Sequence, residues 1–386
     1  MFGDRRQPAS PTLKLVDFGL DPRSVTSACT ELSTMSSTNS AEAATVSGDA
    51  EPHVVLDFAG MVQLLSDGTF VRHADAANAL PPAPLPASAS AAAQWKDVVY
   101  DPDHDLKLLM YKPAAGGADG PTDGEAAADK KKLPVLVYFH GGGFCVGSFS
   151  MPNTHVACLR LAGELPAVVI SADYRLAPVH RLPAAHDDAR TLVSWLRSQA
   201  QAKSDPWLAE SADFGRAFVT GESAGGNIAH HVAVAIGSGM LGISPARVAG
   251  YALFWPYFAG VERTASEAEY PPGPILKLSL SDQFLCLVLP EGATRDHPAV
   301  NPFGPDSAAL DAVAFAPTLV VGGELDLLRD RIADYVARLK AMGKPVELVE
   351  FPGQHHGFFI VEPWGDAADE LVCAVRRFVY GSTSRN

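Results

Sequence analysis

The stretch RAFVTGESAGGN (Arg216–Asn227) decides the fold. It begins with a short run of β-forming residues and ends at a segment, Asn227–Ile236, with helical spacing. Between them Ser223 stands flanked by Gly221 and Gly225. A strand that turns straight into a helix needs glycines, because the turn is too tight for side chains. The residue at its apex is forced into an exposed, strained position where a hydroxyl can attack. The helix that starts there points free N–H groups toward any negative oxygen formed nearby.

Outward from this turn the chain keeps one rhythm. Continuous apolar runs read as buried strands: LPVLVYFH, AVVISADY (Ala167–Tyr174), RVAGYALFW, PTLVVGG and PVELVEF. Helix-like segments lie between most of them, at Pro183–Gln199, Asp330–Ala341 and Ala367–Tyr380. Such alternation predicts an α/β fold with a mostly parallel central sheet flanked by helices. WKDVVYDP and DLKLLMYKP read as two further strands around a turn at Pro102–Asp105. The rhythm breaks between Trp255 and Pro317, a proline-rich and partly helical insertion. GMVQLLSDGTFVRH (Gly60–His73) has apolar residues at helical spacing before a Ser-Asp-Gly turn. Residues 51–93 and 257–300 are expected to form a mainly helical cap over a pocket, within a single domain spanning 51–386. Residues 1–50 are rich in Ser, Thr and Ala and read as a disordered tail.

Composition narrows the function classes. Of 386 residues 47% are apolar and 19% charged, enough for a sizeable core. The formal net charge of −14 disfavours nucleic acid and anionic membranes as partners. No apolar run is long enough to span a bilayer. The five cysteines, odd in number and scattered, suggest free thiols in a reducing compartment. The N-terminus lacks a basic start followed by a secretory core of about 7–15 apolar residues. Asp4, Asp17, Asp21 and Glu31 break the acid-poor pattern of a plastid transit peptide, so a cytoplasmic or nuclear location is expected. The glycines at 141–143 lack dinucleotide-binding spacing, and no P-loop is present. No metal-ligand cluster and no cofactor are expected.

A serine nucleophile needs a base, and the base needs an orienting carboxylate. FPGQHHGFF supplies His355 and His356 after the last strand, and VVGGELDLLRD supplies Asp326 after the one before. Glu324 and Asp330 flank Asp326, but Asp330 opens the next helix, where carboxylates commonly cap. The order Ser, Asp, His at C-terminal strand ends suits a hydrolytic triad on a parallel sheet. The triple glycine in YFHGGGFCVGS (Tyr138–Ser148) lets a backbone approach the reacting carbonyl. Gly142, Gly143 and Ala224 are the expected oxyanion donors, with His140 anchoring the loop. Phe144, Cys145 and Val146 would then border the substrate pocket.

These motifs together resemble the plant carboxylesterases of the hormone-sensitive-lipase group of α/β-hydrolases. The likeness is carried by His140–Gly143, SADYRLAPVHRLPAAHDD at 171–188, GESAGGN at 221–227, Asp326 and HGF at 356–358, and covers roughly 51–380. It implies an α/β-hydrolase fold and a catalytic Ser223–Asp326–His356 set, choosing His356 over His355. It implies a small-molecule ester substrate and a monomer or homodimer. Two positions depart from the usual pattern: Val179 stands where APEH carries Glu, and Glu222 where GDSAGG carries Asp. The same group contains gibberellin receptors, which keep the serine and have lost the histidine, and hydroxyisoflavanone dehydratases, which reuse the pocket for water elimination. MVQLLSDGTFVRH and LPEGATRDHPAVNPFGP look most like the strigolactone-hydrolysing subgroup. Arg175 and Asp188 are expected to pair beneath the site.

Overall fold

A computed structural model describes residues 51–58, 60–67, 69–72, 82–114, 132–271 and 273–381. The tail expected over 1–50 lies outside the described residues.

The central sheet has eight strands in the order β11-β10-β9-β8-β6-β7-β5-β4. They are β4 (Ala93–Asp101), β5 (Leu106–Pro113), β6 (Leu133–Phe139), β7 (Val168–Ala172), β8 (Ala212–Glu222), β9 (Val248–Phe254), β10 (Thr318–Gly323) and β11 (Val346–Phe351). Pairing is parallel from β11 through to β7, while β5 runs antiparallel to both its neighbours. Burial follows position. The central strands β7 and β10 are buried at every residue, which is why their sequences read as unbroken apolar runs. The edge strands β4 and β11 carry exposed positions along their length, including charged ones.

Helices flank this sheet: α2 (Pro152–Glu164), α3 (Ala184–Ala202), α5 (Ala224–Gly237), α8 (Arg329–Ala341) and α10 (Asp366–Tyr380). Shorter ones are α1 (Ala87–Ala92), α4 (Pro206–Ser211) and α9 (Phe358–Val361). The insertion between β9 and β10 carries α6 (Ala265–Glu269) and α7 (Leu278–Val288). A capping box at Thr264 and Glu267 starts α6, and the buried Glu267 pairs with Arg331 of α8 at 2.6 Å.

One expectation is corrected. The segment read as helical before residue 73 is a separate antiparallel sheet of β1 (Val54–Phe58), β2 (Val62–Leu65) and β3 (Phe70–Arg72). Two turns lie too close together for a helix to form between them. In the first, Asp57 Oδ1 accepts from the N–H of Gly60, which sits at φ +68°. In the second, Asp67 Oδ1 accepts from the Thr69 N–H. Between them Val62 and Leu64 are buried while Gln63 and Leu65 are half-buried, an alternation of period two. Among the described residues, the N-terminal part of the expected helical cap therefore contains this sheet as well as α1.

The thiols of Cys145, Cys158 and Cys373 are free, as expected, but Cys286 is disulfide-bonded.

Candidate active site

The turn after β8 is built by backbone contact. A Cβ on Gly221 would lie 2.3 Å from the Gly225 carbonyl oxygen, and one on Gly225 would lie 2.0 Å from that of Phe139. Neither position can carry a side chain. Ser223 at the apex has φ +52° and ψ −115°, outside the regions an L-residue ordinarily occupies. The surroundings hold it there. Its N–H donates to Phe254 O at 2.9 Å, and its carbonyl accepts from the N–H groups of Tyr257 and Asn227 at 2.9 and 3.0 Å.

The other partners arrive on loops after β10 and β11. A Cβ on Gly323 would lie 2.4 Å from Gln354 O, so only glycine lets the two loops close together. Asp326 is buried, with Oδ1 accepting from the Leu328 N–H at 2.9 Å. Its Oδ2 accepts from His356 Nδ1 at 2.8 Å. His356 Nε2 lies 2.9 Å from Ser223 Oγ. With Nδ1 donating to the carboxylate, Nε2 carries the lone pair that faces the serine hydroxyl. The alternatives go elsewhere: His355 Nδ1 donates to Leu325 O at 3.3 Å, Glu324 accepts from the Gly353 N–H, and Asp330 accepts from the Ser266 N–H.

The glycine loop after β6 lies beside the serine. Gly142 at φ +110° and Gly143 at φ +58° are followed by Phe144 at φ +60°. A Cβ on Gly142 would meet Val146 O at 2.1 Å. Among the described residues no hydrogen bond engages the N–H of Gly142 or Gly143. Ala224 is the first residue of α5, so its N–H has no partner a turn before it. His140 is buried and stacks on Tyr174, whose hydroxyl donates to His140 O at 2.8 Å. Burial pushes the imidazole down to about 4, so it is neutral and anchors the loop. The Ala177 N–H donates to Phe144 O, and Arg175 and Asp188 pair at 2.6 Å beneath that segment. Phe144 and Cys145 are fully buried, with the Phe144 ring packed on His186 and Tyr257. Burial drives the Cys145 thiol well above its ordinary pKa, which makes it a poor nucleophile. Val146 backs Gly142 with both its carbonyl and its side chain.

The chain resembles known families and proteins. A family model described as the alpha/beta hydrolase fold matches residues 136–360, and one for the carboxylesterase family matches residues 78–188. A 3-O-acetylpapaveroxine carboxylesterase of Papaver somniferum is 35% identical over 275 residues, 69% of this chain and 83% of the relative. A gibberellin receptor of Arabidopsis thaliana is 36% identical over 267 residues, 69% of this chain and 74% of the relative. A hyperthermophilic esterase from Pyrobaculum calidifontis superposes with a TM-score of 0.60 at 30% identity, covering 74% of this chain and 85% of that one. The chain belongs to the α/β-hydrolase family. It is a carboxylic ester hydrolase.

Several residues that shape this esterase site carry no sequence signal. Phe284 of α7 lies against Gly143, where a Cβ would come within 2.3 Å of its ring. Ile275 lies against Gly357, next to His356, with its Cδ1 2.6 Å from where a Cβ would sit. Both come from the insertion, which is tied down when Arg181 donates to Cys286 O and Leu289 O. Arg72 of β3 donates to Cys145 O at 3.0 Å and to Ala177 O at 2.6 Å, joining the N-terminal sheet to the glycine loop. Of the two departures from the esterase pattern, Val179 is 63% exposed and so packs against little, whereas Glu222 is buried. Among the described residues there is no metal-binding cluster and no helix long and apolar enough to cross a membrane.

Proposed function

We propose that the chain hydrolyses a small-molecule carboxylic ester through an acyl-enzyme on Ser223. The observation that carries this reading is the chain of hydrogen bonds from Asp326 through His356 to Ser223 Oγ, at 2.8 and 2.9 Å. His356 Nε2 takes the hydroxyl proton as Ser223 Oγ attacks the carbonyl carbon. The carbonyl oxygen becomes an anion facing the N–H groups of Gly142, Gly143 and Ala224. Asp326 keeps the imidazole in the tautomer that accepts at Nε2 and stabilises the imidazolium. His356 then returns the proton to the departing alcohol, and a water repeats the sequence to release the acid. The insertion and the N-terminal sheet act as the cap. Phe284 beside Gly143 and Ile275 beside Gly357 supply apolar walls to the pocket.

A receptor function, as in the gibberellin receptors to which the chain is also similar, is disfavoured by His356 standing in contact with Ser223. A dehydratase-like lyase would use the same pocket. The candidate substrate is a strigolactone, a proposal that rests on sequence likeness. Its enol leaving group would make cleavage easy and would inactivate the hormone.

Product analysis by mass spectrometry tests this, with wild type and Ser223→Ala each incubated with a strigolactone and with p-nitrophenyl acetate. Ser223→Ala should lose turnover on the order of 10⁴-fold or more and still bind ligand. Cleavage of both esters by wild type alone supports the whole reading. Cleavage of the generic ester alone removes strigolactone. Cleavage of neither by folded protein moves the assignment to a receptor.

A further inference from the structure

Glu222 directly precedes Ser223, and the mechanism above gives it nothing to do. Its side chain is buried, where a carboxylate is costly unless paired. Its Oε1 accepts from the Gly141 N–H at 3.1 Å. The fit is tight at 141. A Cβ there would lie 3.3 Å from the Glu222 carboxyl carbon and 3.2 Å from the Glu222 carbonyl oxygen. Gly141 opens the run whose next two N–H groups face the reacting carbonyl. One strand end thus presents the nucleophile and, one residue earlier, the acceptor that sets the adjoining loop.

The electrostatic surroundings are specific. Burial pushes the Glu222 carboxyl up to about 7, opposed first by the Gly141 N–H, then by the positive charge His356 can carry, then by the Trp255 indole. Trp255 Nε1 lies near the carboxyl without a hydrogen bond of good geometry. Tyr138, Tyr174 and Cys158 also feel the carboxylate, and burial keeps all three neutral. His140, next to Gly141, is neutral as well. His356 is then the one neighbour among these whose charge changes during the reaction.

We propose that Glu222 is a positioning residue for ester hydrolysis. Its ionised carboxyl holds the Gly141 N–H, and through it the Gly142 and Gly143 donors, and it balances the imidazolium that forms on His356. Protonating Glu222 removes that charge and weakens the acceptor. Activity then falls on the acid side as Glu222 takes up a proton.

The inference rests on the serine mechanism, and its test separates the two. Turnover of p-nitrophenyl acetate is measured from about pH 5 to 9 for wild type, Ser223→Ala, Glu222→Ala, Glu222→Gln and Glu222→Asp, with folding checked by circular dichroism. Glu222→Ala should lower kcat about 10- to 100-fold and leave KM within about threefold. Glu222→Gln keeps an acceptor oxygen but cannot ionise. It mimics the protonated carboxyl, so its kcat should stay well below wild type at high pH, and its acid limb should be shallower than that of wild type. Glu222→Asp should restore the steeper limb. A folded Glu222→Ala with kcat within about twofold of wild type would overturn the inference. So would superimposable pH profiles for wild type and Glu222→Gln, which decide the matter even if the alanine variant fails to fold. An inactive wild type, or an active Ser223→Ala, breaks the serine mechanism and the inference with it. An active wild type indifferent to Glu222 breaks only the inference.

Discussion

Part of the site around Ser223 is made of main chain touching main chain. Gly221, Gly225 and Gly142 leave a would-be Cβ 2.0–2.3 Å from a carbonyl oxygen, and Gly141 lies flat on the Glu222 carboxyl. Elsewhere the borders are side chains: Phe284 of the insertion against Gly143, Ile275 of the insertion against Gly357, and Arg72 of the N-terminal sheet on Cys145 O. The difference has a chemical meaning. Donors aimed at a developing oxyanion must be held to fractions of an ångström, and close-packed backbone does that without relying on any rotamer. The walls around the rest of a substrate only have to match its size, and side chains on a separate insertion can be exchanged without disturbing the donors.

Breaking the backbone side should cost most. Gly142→Ala puts a methyl 2.1 Å from Val146 O at φ +110°, so the loop must move. We expect kcat to fall by about 10²–10³-fold, read by steady-state kinetics on p-nitrophenyl acetate with a thermal melt as control. A fall in stability with kcat retained would mean the loop tolerates displacement. Arg175→Ala acts one layer further down. It strips the buried Asp188 carboxylate of its cation and should cost about 3 kcal/mol of stability in urea denaturation, with kcat of the folded fraction little changed. An unchanged midpoint would show that the pair contributes nothing to the anchor. Phe284→Ala should have the smallest effect and the most selective. The ratio of kcat/KM for p-nitrophenyl butyrate over acetate should rise about tenfold as the wall beside Gly143 recedes. A proportional loss on both esters would place Phe284 with the backbone side instead.

Legibility followed the same division. β6, β7 and β10 could be read because strands buried on both faces leave continuous apolar runs. Helix α2 (Pro152–Glu164) could not, because Asn153, Thr154 and Arg160 are buried with its apolar residues and blur the periodicity. The N-terminal sheet was misread because Met61, Leu64 and Leu65 happen to fall at helical intervals, while Asp57 and Asp67 build turns that end each strand after a few residues.

From the sequence alone follow the parallel sheet, the serine on a glycine-flanked turn, the Ser, Asp, His order and the loop that needs bare glycines. Each rests on local constraints: burial on two faces, a turn too tight for a Cβ, a position in the order of strand ends. Residue type alone leaves His355 and His356 open, the family resemblance favours His356, and the tertiary structure turns it inward together with Asp326. His356 rather than His355 meets Ser223 across 133 residues, and Asp326 rather than Glu324 or Asp330 meets His356 across 30. The tertiary structure also decided that Glu222 sits under Gly141 and Phe284 against Gly143. Those outcomes depend on how loops from different strands pack together, and adjacent residues of similar type carry no record of it.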